Sequence, residues 1–297
     1  MNILQKIYHI YSNSTESAEF TGQEASDLIK AELKSGKPTM IARIGSTELQ
    51  AMAYYINYQN QFKKPIEELK KKMILNKMSI LSGFYPSTKE NIFKFSMKMI
   101  DDMKEVDILG TWRKEEKLFE NELKFAKKIR LKDLEPYYHQ FPWSEVLKDK
   151  SVLVIHPFAE SINNQYLKRK MLFENPNILP QFNLITIKAV QSIANNKPDF
   201  EDWFIALDSM KNQIDEIDFD IALIGCGAYG FPLAAHIKRK GKQAVLLGGA
   251  LQILFGIRGK RWEQHPEISL LINEHWSRPL TSEVPHNSKK IDGGSYW

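Results

Sequence analysis

Phe219-Asp220-Ile221-Ala222-Leu223-Ile224-Gly225-Cys226-Gly227-Ala228-Tyr229-Gly230 is the stretch whose reading decides the fold. A hydrophobic run ends in G-x-G-x-x-G, and the residues that follow, to about Arg239, read as a helix. A buried strand, a glycine turn and a helix in that order are the repeating unit of a parallel α/β sheet. Glycines at such a turn let the backbone approach a ligand, and the free amides opening the helix attract phosphate. The dinucleotide fingerprint adds an acidic residue about 20 positions later to hold a ribose. Residues 243–249 (QAVLLGG) contain none, which makes a nucleotide-dependent oxidoreductase the weaker rival. Glycines needed only for close packing of helix on strand are the alternative to a ligand loop.

The same alternation extends outward. Residues 151–158 and 182–190 read as strands, and 161–173 reads as the helix between them. Trp203, Leu207, Met210, Ile214 and Ile217 share one face of a helix over 202–217, and a further strand (243–249) and helix (251–257) follow the glycine motif. In the first half, 37–44 reads as a strand, and Gly45-Ser46 then opens a helix capped by Ser46 or Thr47. Helices are expected over 60–74, 89–104 and 115–129, and a strand over 106–112. The fold class is α/β, Rossmann-like, with a mostly parallel sheet covered by helices on both faces. One domain is expected, with its core at 38–262, a helical segment at 1–36 and an extended tail at 277–297 that either wraps the domain or moves freely.

With 43% hydrophobic residues in 297, the chain can bury a large core. The 41 basic and 36 acidic residues leave a net charge of +5, too small for a nucleic-acid-binding tail and compatible with a phosphate-bearing ligand or an anionic membrane surface. Cys226 is the single cysteine, so no internal disulfide exists and a reducing, cytoplasmic location fits. No signal peptide is read at the start, and no window has the length of a membrane span. Ile3, Leu4, Ile7, Tyr8 and Tyr11 fall at helical spacing beside Lys6 and His9. That pattern suits a helix packed on its own domain better than a peripheral membrane contact.

The candidate site residues gather at strand ends, where open α/β sheets bind ligands. Besides Gly225, Gly227, Tyr229 and Gly230, they include Gly248 and Gly249, which lead past Gln252 into Gly256-Ile257-Arg258-Gly259-Lys260-Arg261-Trp262. Arg258, Lys260 and Arg261 suit a diphosphate, since guanidinium groups bind phosphate oxygens in pairs. After the first strand comes Arg43-Ile44-Gly45-Ser46-Thr47-Glu48. Glu48 is a candidate general base or acceptor-orienting group, with a first-turn acid favoured by the helix dipole as the alternative. His156 is the second catalytic candidate, with Ser161 and Gln165 one turn apart beyond it.

The combination of Arg43-x-Gly45-x-x-Glu48, Ile155-His156-Pro157-Phe158 with Ser161 and Gln165-Tyr166, the 222–230 glycine motif with Pro232-Leu233-Ala234, and the 248–262 block resembles the GT-D glycosyltransferase family. The likeness spans about 38–262 and is thin over 60–140. It implies a nucleoside-diphosphate-sugar donor held by Arg43, Gly45, Ser46 and the glycine and cationic residues named above, and transfer to a glycan or lipid-linked glycan acceptor in bacterial polysaccharide assembly. The family's first motif reads Arg-x-Gly-Asp-Gly-Glu, with an acidic pair linked to manganese or magnesium. Glu48 matches the Glu, but Ser46 replaces the Asp, and one carboxylate is a poor site for either metal. A non-catalytic nucleotide-sugar-binding subunit is the alternative this departure leaves open.

Overall fold

The computed structural model describes residues 18–59, 65–196, 198–290 and 294–297. Seven strands form a single, wholly parallel sheet: β1 (Thr39–Ala42), β2 (Ile108–Thr111), β3 (Lys127–Arg130), β4 (Ser151–His156), β5 (Asn183–Lys188), β6 (Ile221–Ile224) and β7 (Gln243–Leu246), in the order β3-β2-β1-β7-β6-β4-β5. Every residue of β1, β6 and β7 is buried, as a sheet covered on both faces requires. The edge strands β3 and β5 carry the exposed positions.

Two cores result. On one face α2 (Ser46–Gln59), α4 (Lys89–Asp102), α7 (Trp203–Asp215) and α8 (Gly230–Arg239) enclose Met52, Phe95, Trp203 and Leu233. The other face buries Ile29 of α1 (Gln23–Lys34), Ile162 of α5 (Ala159–Tyr166), Trp143, Phe255 and Trp276. Local signals fix the helix starts. Thr88 accepts from the amide of Asn91 to cap α4, and Asp202 accepts from that of Ile205 to cap α7.

Strand order positions the site. The chain leaves β1 toward β2 and β3, crosses to β4, steps outward to β5, and returns through β6 to β7 beside β1. Adjacent strands β4 and β6 therefore send their connections in opposite directions, which opens a crevice at their carboxyl ends.

Several expected elements differ. Residues 115–129 do not form a helix: a 3-10 segment, Lys114–Phe119, is followed by turns and then β3. Phe119, Leu123 and Ala126 do point inward, but through turn hydrogen bonds from Leu123 N to Phe119 O and Ala126 N to Leu123 O. The residues after them pair with the open edge of β2, which satisfies backbone groups that a longer helix would leave orphaned there. The helix over 161–173 is two pieces, α5 and α6 (Arg169–Leu172). The helix expected over 60–74 is described from Pro65 as α3 (Pro65–Leu81) and runs on to Leu81, while 60–64 lie outside the described residues. The helix after β7 is the single turn α9 (Leu251–Leu254), ended by Gly256 at φ 61°.

The tail packs on the domain, with Ser277 bridged to Ile257 and its carbonyl accepting from Arg258 N. The amphipathic pattern in residues 1–12 lies outside the described residues. No helix among the described residues is long and apolar enough to cross a membrane.

Trp203 is fully buried, stacked on Tyr229 at 5.1 Å and in contact with Phe84 and Phe95. Trp203→Ala is expected to lower stability by about 3–5 kcal/mol in urea unfolding.

Candidate functional site

The carboxyl edge is built from the ends of five strands, β1, β2, β4, β6 and β7. Arg43 follows β1, and its guanidinium lies 4.9 Å from the centre of the Trp112 ring. The Trp112 indole in turn donates to Ile44 O at 3.0 Å. On its other side Arg43 reaches the end of β7, where its Nη1 is 3.5 Å from the place a Cβ on Gly248 would take. Gly248 has φ 64°, a backbone state that favours glycine. Arg43 thus ties the ends of β1, β2 and β7 into one polar wall.

Gly45 makes room for Glu48. The carboxylate folds back over the start of α2, and a Cβ on Gly45 would lie 1.9 Å from its Oε2. Only 8% of Glu48 is exposed. A carboxylate there benefits from the helix dipole whatever else it does. Ser46 and Thr47 sit half-buried in the same first turn.

The glycine motif divides its labour. A Cβ on Gly225 would meet Gly248 O at 2.6 Å and His156 Cδ2 at 2.8 Å, so this glycine lets the β4, β6 and β7 ends converge. Gly230 faces Leu246 Cδ1 and serves the packing of α8 on β7. Tyr229 points into the core, stacked on Trp203, with its hydroxyl 3.1 Å from Ser192 Oγ. Gly227, at φ 58°, is the exposed member of the loop.

His156 is buried beside Gly225, and its Nδ1 accepts from Phe158 N at 3.0 Å. Burial lowers its imidazole to about 3, so the ring is neutral at physiological pH and weakly basic. Ser161 and Gln165 fasten the tail. The amide and hydroxyl of Ser161 both donate to Glu283, as does Glu160 N, while Gln165 Nε2 donates to Gly256 O and His275 O.

The second glycine-rich block is likewise occupied by the chain itself. Tyr296 lies against Gly249, and its carbonyl accepts from Gln252 Nε2 at 3.3 Å. Lys260 N and Arg261 N donate to Trp297 O and Ser295 O, and Arg261 Nη1 donates to the Tyr296 hydroxyl. Arg258 faces Glu263 at 3.8 Å. The structure therefore brings Arg43, Gly45, Glu48, Gly225, His156 and Gly248 to one edge and gathers Gly249, Gln252, Lys260 and Arg261 around the tail. It turns Tyr229 and Gly230 inward.

Glu135, just after the β3 edge, escaped the sequence reading. Burial pushes its carboxyl up to about 7 against the opposing pull of the Tyr137 hydroxyl, which donates to it, and of Arg43 and Lys132. An acid poised near neutrality within the field of Arg43 has the property that proton transfer needs. In the sequence it is one glutamate before a proline, which reads as a turn.

A divalent cation needs several oxygen ligands. The Gly45–Glu48 turn supplies one carboxylate, and among the described residues no group of three or more His, Cys, Asp or Glu side chains is placed to hold a metal. The described residues at this turn do not by themselves supply the ligand set of a protein-held divalent cation.

A doubly wound parallel sheet with glycine turns belongs to the class of α/β folds in which ligands bind in the crevice outside the strand carboxyl ends. Residues 20–254 match the GT-D fold-like domain, and the chain belongs to that family. The match stops before the 256–262 segment and the tail. No curated protein and no solved structure matches the chain.

Because the ordinary value for Glu135 is 4.5, the unfolded chain ionises it first as pH rises, and this group's effect on stability falls between about 4.5 and 7. Glu135→Gln is expected to flatten that fall and to raise Tm relative to the unsubstituted protein at pH 8, measured by thermal unfolding across pH.

Proposed function

We propose that the chain is a glycosyltransferase that moves a sugar from a nucleoside-diphosphate sugar to a hydroxyl of a glycan or lipid-linked glycan. Its place is bacterial surface-polysaccharide or glycoprotein-glycan assembly, in the cytoplasm or at the inner face of the membrane. The observation that carries this reading is family membership across 20–254 together with the meeting of Arg43, Gly225 and Gly248 at the sheet crevice.

In this reading the acceptor oxygen attacks the anomeric carbon as the bond from that carbon to the diphosphate oxygen breaks. Glu48 takes the acceptor proton. The electron pair leaves on the diphosphate, where Arg43, backed by the Trp112 ring, neutralises the growing charge, with Arg258, Lys260 and Arg261 adding positive potential from the β7 side. Cationic side chains take the role that an acidic pair and its metal would otherwise fill, so donor binding is expected without manganese. Ser46 in place of an acid favours one second reading, a subunit that binds the donor without turnover.

Nucleoside-diphosphate sugars are expected to stabilise the fold by about 2.7 kcal/mol at 100 times their dissociation constant, with or without manganese. No response to any of them in a thermal-shift screen at millimolar concentration would remove the donor assignment. Glu48→Gln should keep that stabilisation and lower transfer by roughly 100-fold or more. If turnover per folded molecule is unchanged while stability drops, Glu48 serves only the start of α2. Donor binding without transfer across an acceptor panel selects the non-catalytic subunit.

A further inference from the structure

The last residues of the chain occupy the groups that sequence reasoning assigned to the donor. Three consecutive carbonyl oxygens, those of Ser295, Tyr296 and Trp297, accept in turn from Arg261 N, Gln252 Nε2 and Lys260 N. The Tyr296 ring lies against Gly249, where a Cβ would come within 2.9 Å of it, and Arg261 both covers that ring at 4.7 Å and donates to its hydroxyl. Gly259 carries the tail backbone so closely that a Cβ there would meet Tyr296 O at 2.5 Å. Trp297 turns its ring toward Phe158, just past the end of β4. A row of oxygen acceptors on two backbone amides and one side-chain amide, joined to an aromatic ring under a guanidinium, has the chemical outline of a nucleoside diphosphate, with carbonyls in place of phosphoryl oxygens and Tyr296 in place of the base.

The fit of tail to groove is incomplete. Among the described residues seven buried side-chain polar atoms have no hydrogen-bond partner within the protein, and five of them, Gln252 Oε1, Arg258 Nε, Trp262 Nε1, Ser295 Oγ and Trp297 Nε1, fall in the 252–262 segment and the tail docked on it. A buried polar atom left unpaired destabilises the arrangement that buries it. The docked tail is thus held by well-formed bonds at some points and loses free energy at others. That balance suits an occupant that must leave.

We propose that residues 295–297 are a built-in pseudo-ligand of the donor groove, displaced when a nucleoside diphosphate binds. The proposal rests on the donor reading above and adds to it a self-occlusion that weakens apparent affinity by the fraction of molecules whose groove is open. Tail and donor compete for the amides of Lys260 and Arg261, for Gln252 and for the Arg261 guanidinium. The tail residues take no part in sugar transfer, so their loss should tighten donor binding.

The test uses the full chain with Tyr296→Ala and Trp297→Ala, singly and together, and titrates uridine diphosphate by calorimetry. Circular dichroism melting confirms that each variant is folded. The double variant is expected to bind at least about fivefold more tightly than the unsubstituted protein, and Tyr296→Phe, which keeps the ring and loses only the hydroxyl, to gain less. In the unsubstituted protein, amide exchange at 295–297 should quicken on adding the nucleotide. Equal or weaker binding by the folded double variant, or slower exchange at 295–297, would overturn the pseudo-ligand while leaving the donor reading intact. Absence of binding by every form, with a panel of purine and pyrimidine diphosphates, would overturn both. Should the double variant fail to fold, the amide-exchange result decides.

Discussion

The carboxyl edge of the sheet depends on one near-contact between backbones. Gly248 O sits 2.6 Å from the place where a Cβ on Gly225 would stand, with the His156 ring at 2.8 Å on another side. No side chain fits at 225 without parting the ends of β6 and β7. Because those ends meet, Gly248 presents its left-handed turn to Arg43, and Arg43 can span from β7 to Trp112 beyond β2. The polar wall of the crevice follows from an absence of atoms at one position.

The polar groups beyond that wall belong to the chain's own tail. Glu283 fills the start of α5 with a carboxylate that meets two backbone amides and the Ser161 hydroxyl, the kind of partner a helix N-terminus favours. Gln165 holds the turn at Gly256 to His275. The region after β4 is thereby committed largely to internal hydrogen bonds, and the proposed site lies along the carboxyl edge that runs from the end of β4 across β6 and β7 to β1. Arg43, Glu48 and Glu135 approach it from the first half of the chain, and Arg258, Lys260 and Arg261 from the second.

What could be read in advance follows from physical range. Buried parallel strands declare themselves through continuous apolar runs, so β1, β4, β6 and β7 were legible to within a few residues. Strand β3 was not, because Lys-Lys-Ile-Arg at an exposed edge has no such run and is defined by the neighbour it pairs with. The glycine motif was visible as a pattern, yet the pattern cannot say that Gly230 faces Leu246 or that Tyr229 turns toward Trp203. Glu135 acquires its character only from burial near Tyr137 and Arg43, and the hold of the tail on Gln252 and Arg261 joins residues far apart in sequence. Local chemistry was readable; juxtaposition across the chain was not.

The seam between β1 and β7 has a kinetic meaning as well. Thr39 pairs with Gln243, across most of the chain, whereas β1 with β2 and β4 with β5 join segments much closer in sequence. Loop-closure entropy makes such a distant parallel pairing slow to form. The helix α8 that follows β6 packs on β1 and on α4 as well as on β7, so it too joins the two half-sheets, β1 to β3 and β4 to β7. Arg43 meets Gly248 only across the seam, so closing the seam is what brings the two sides of the crevice wall together.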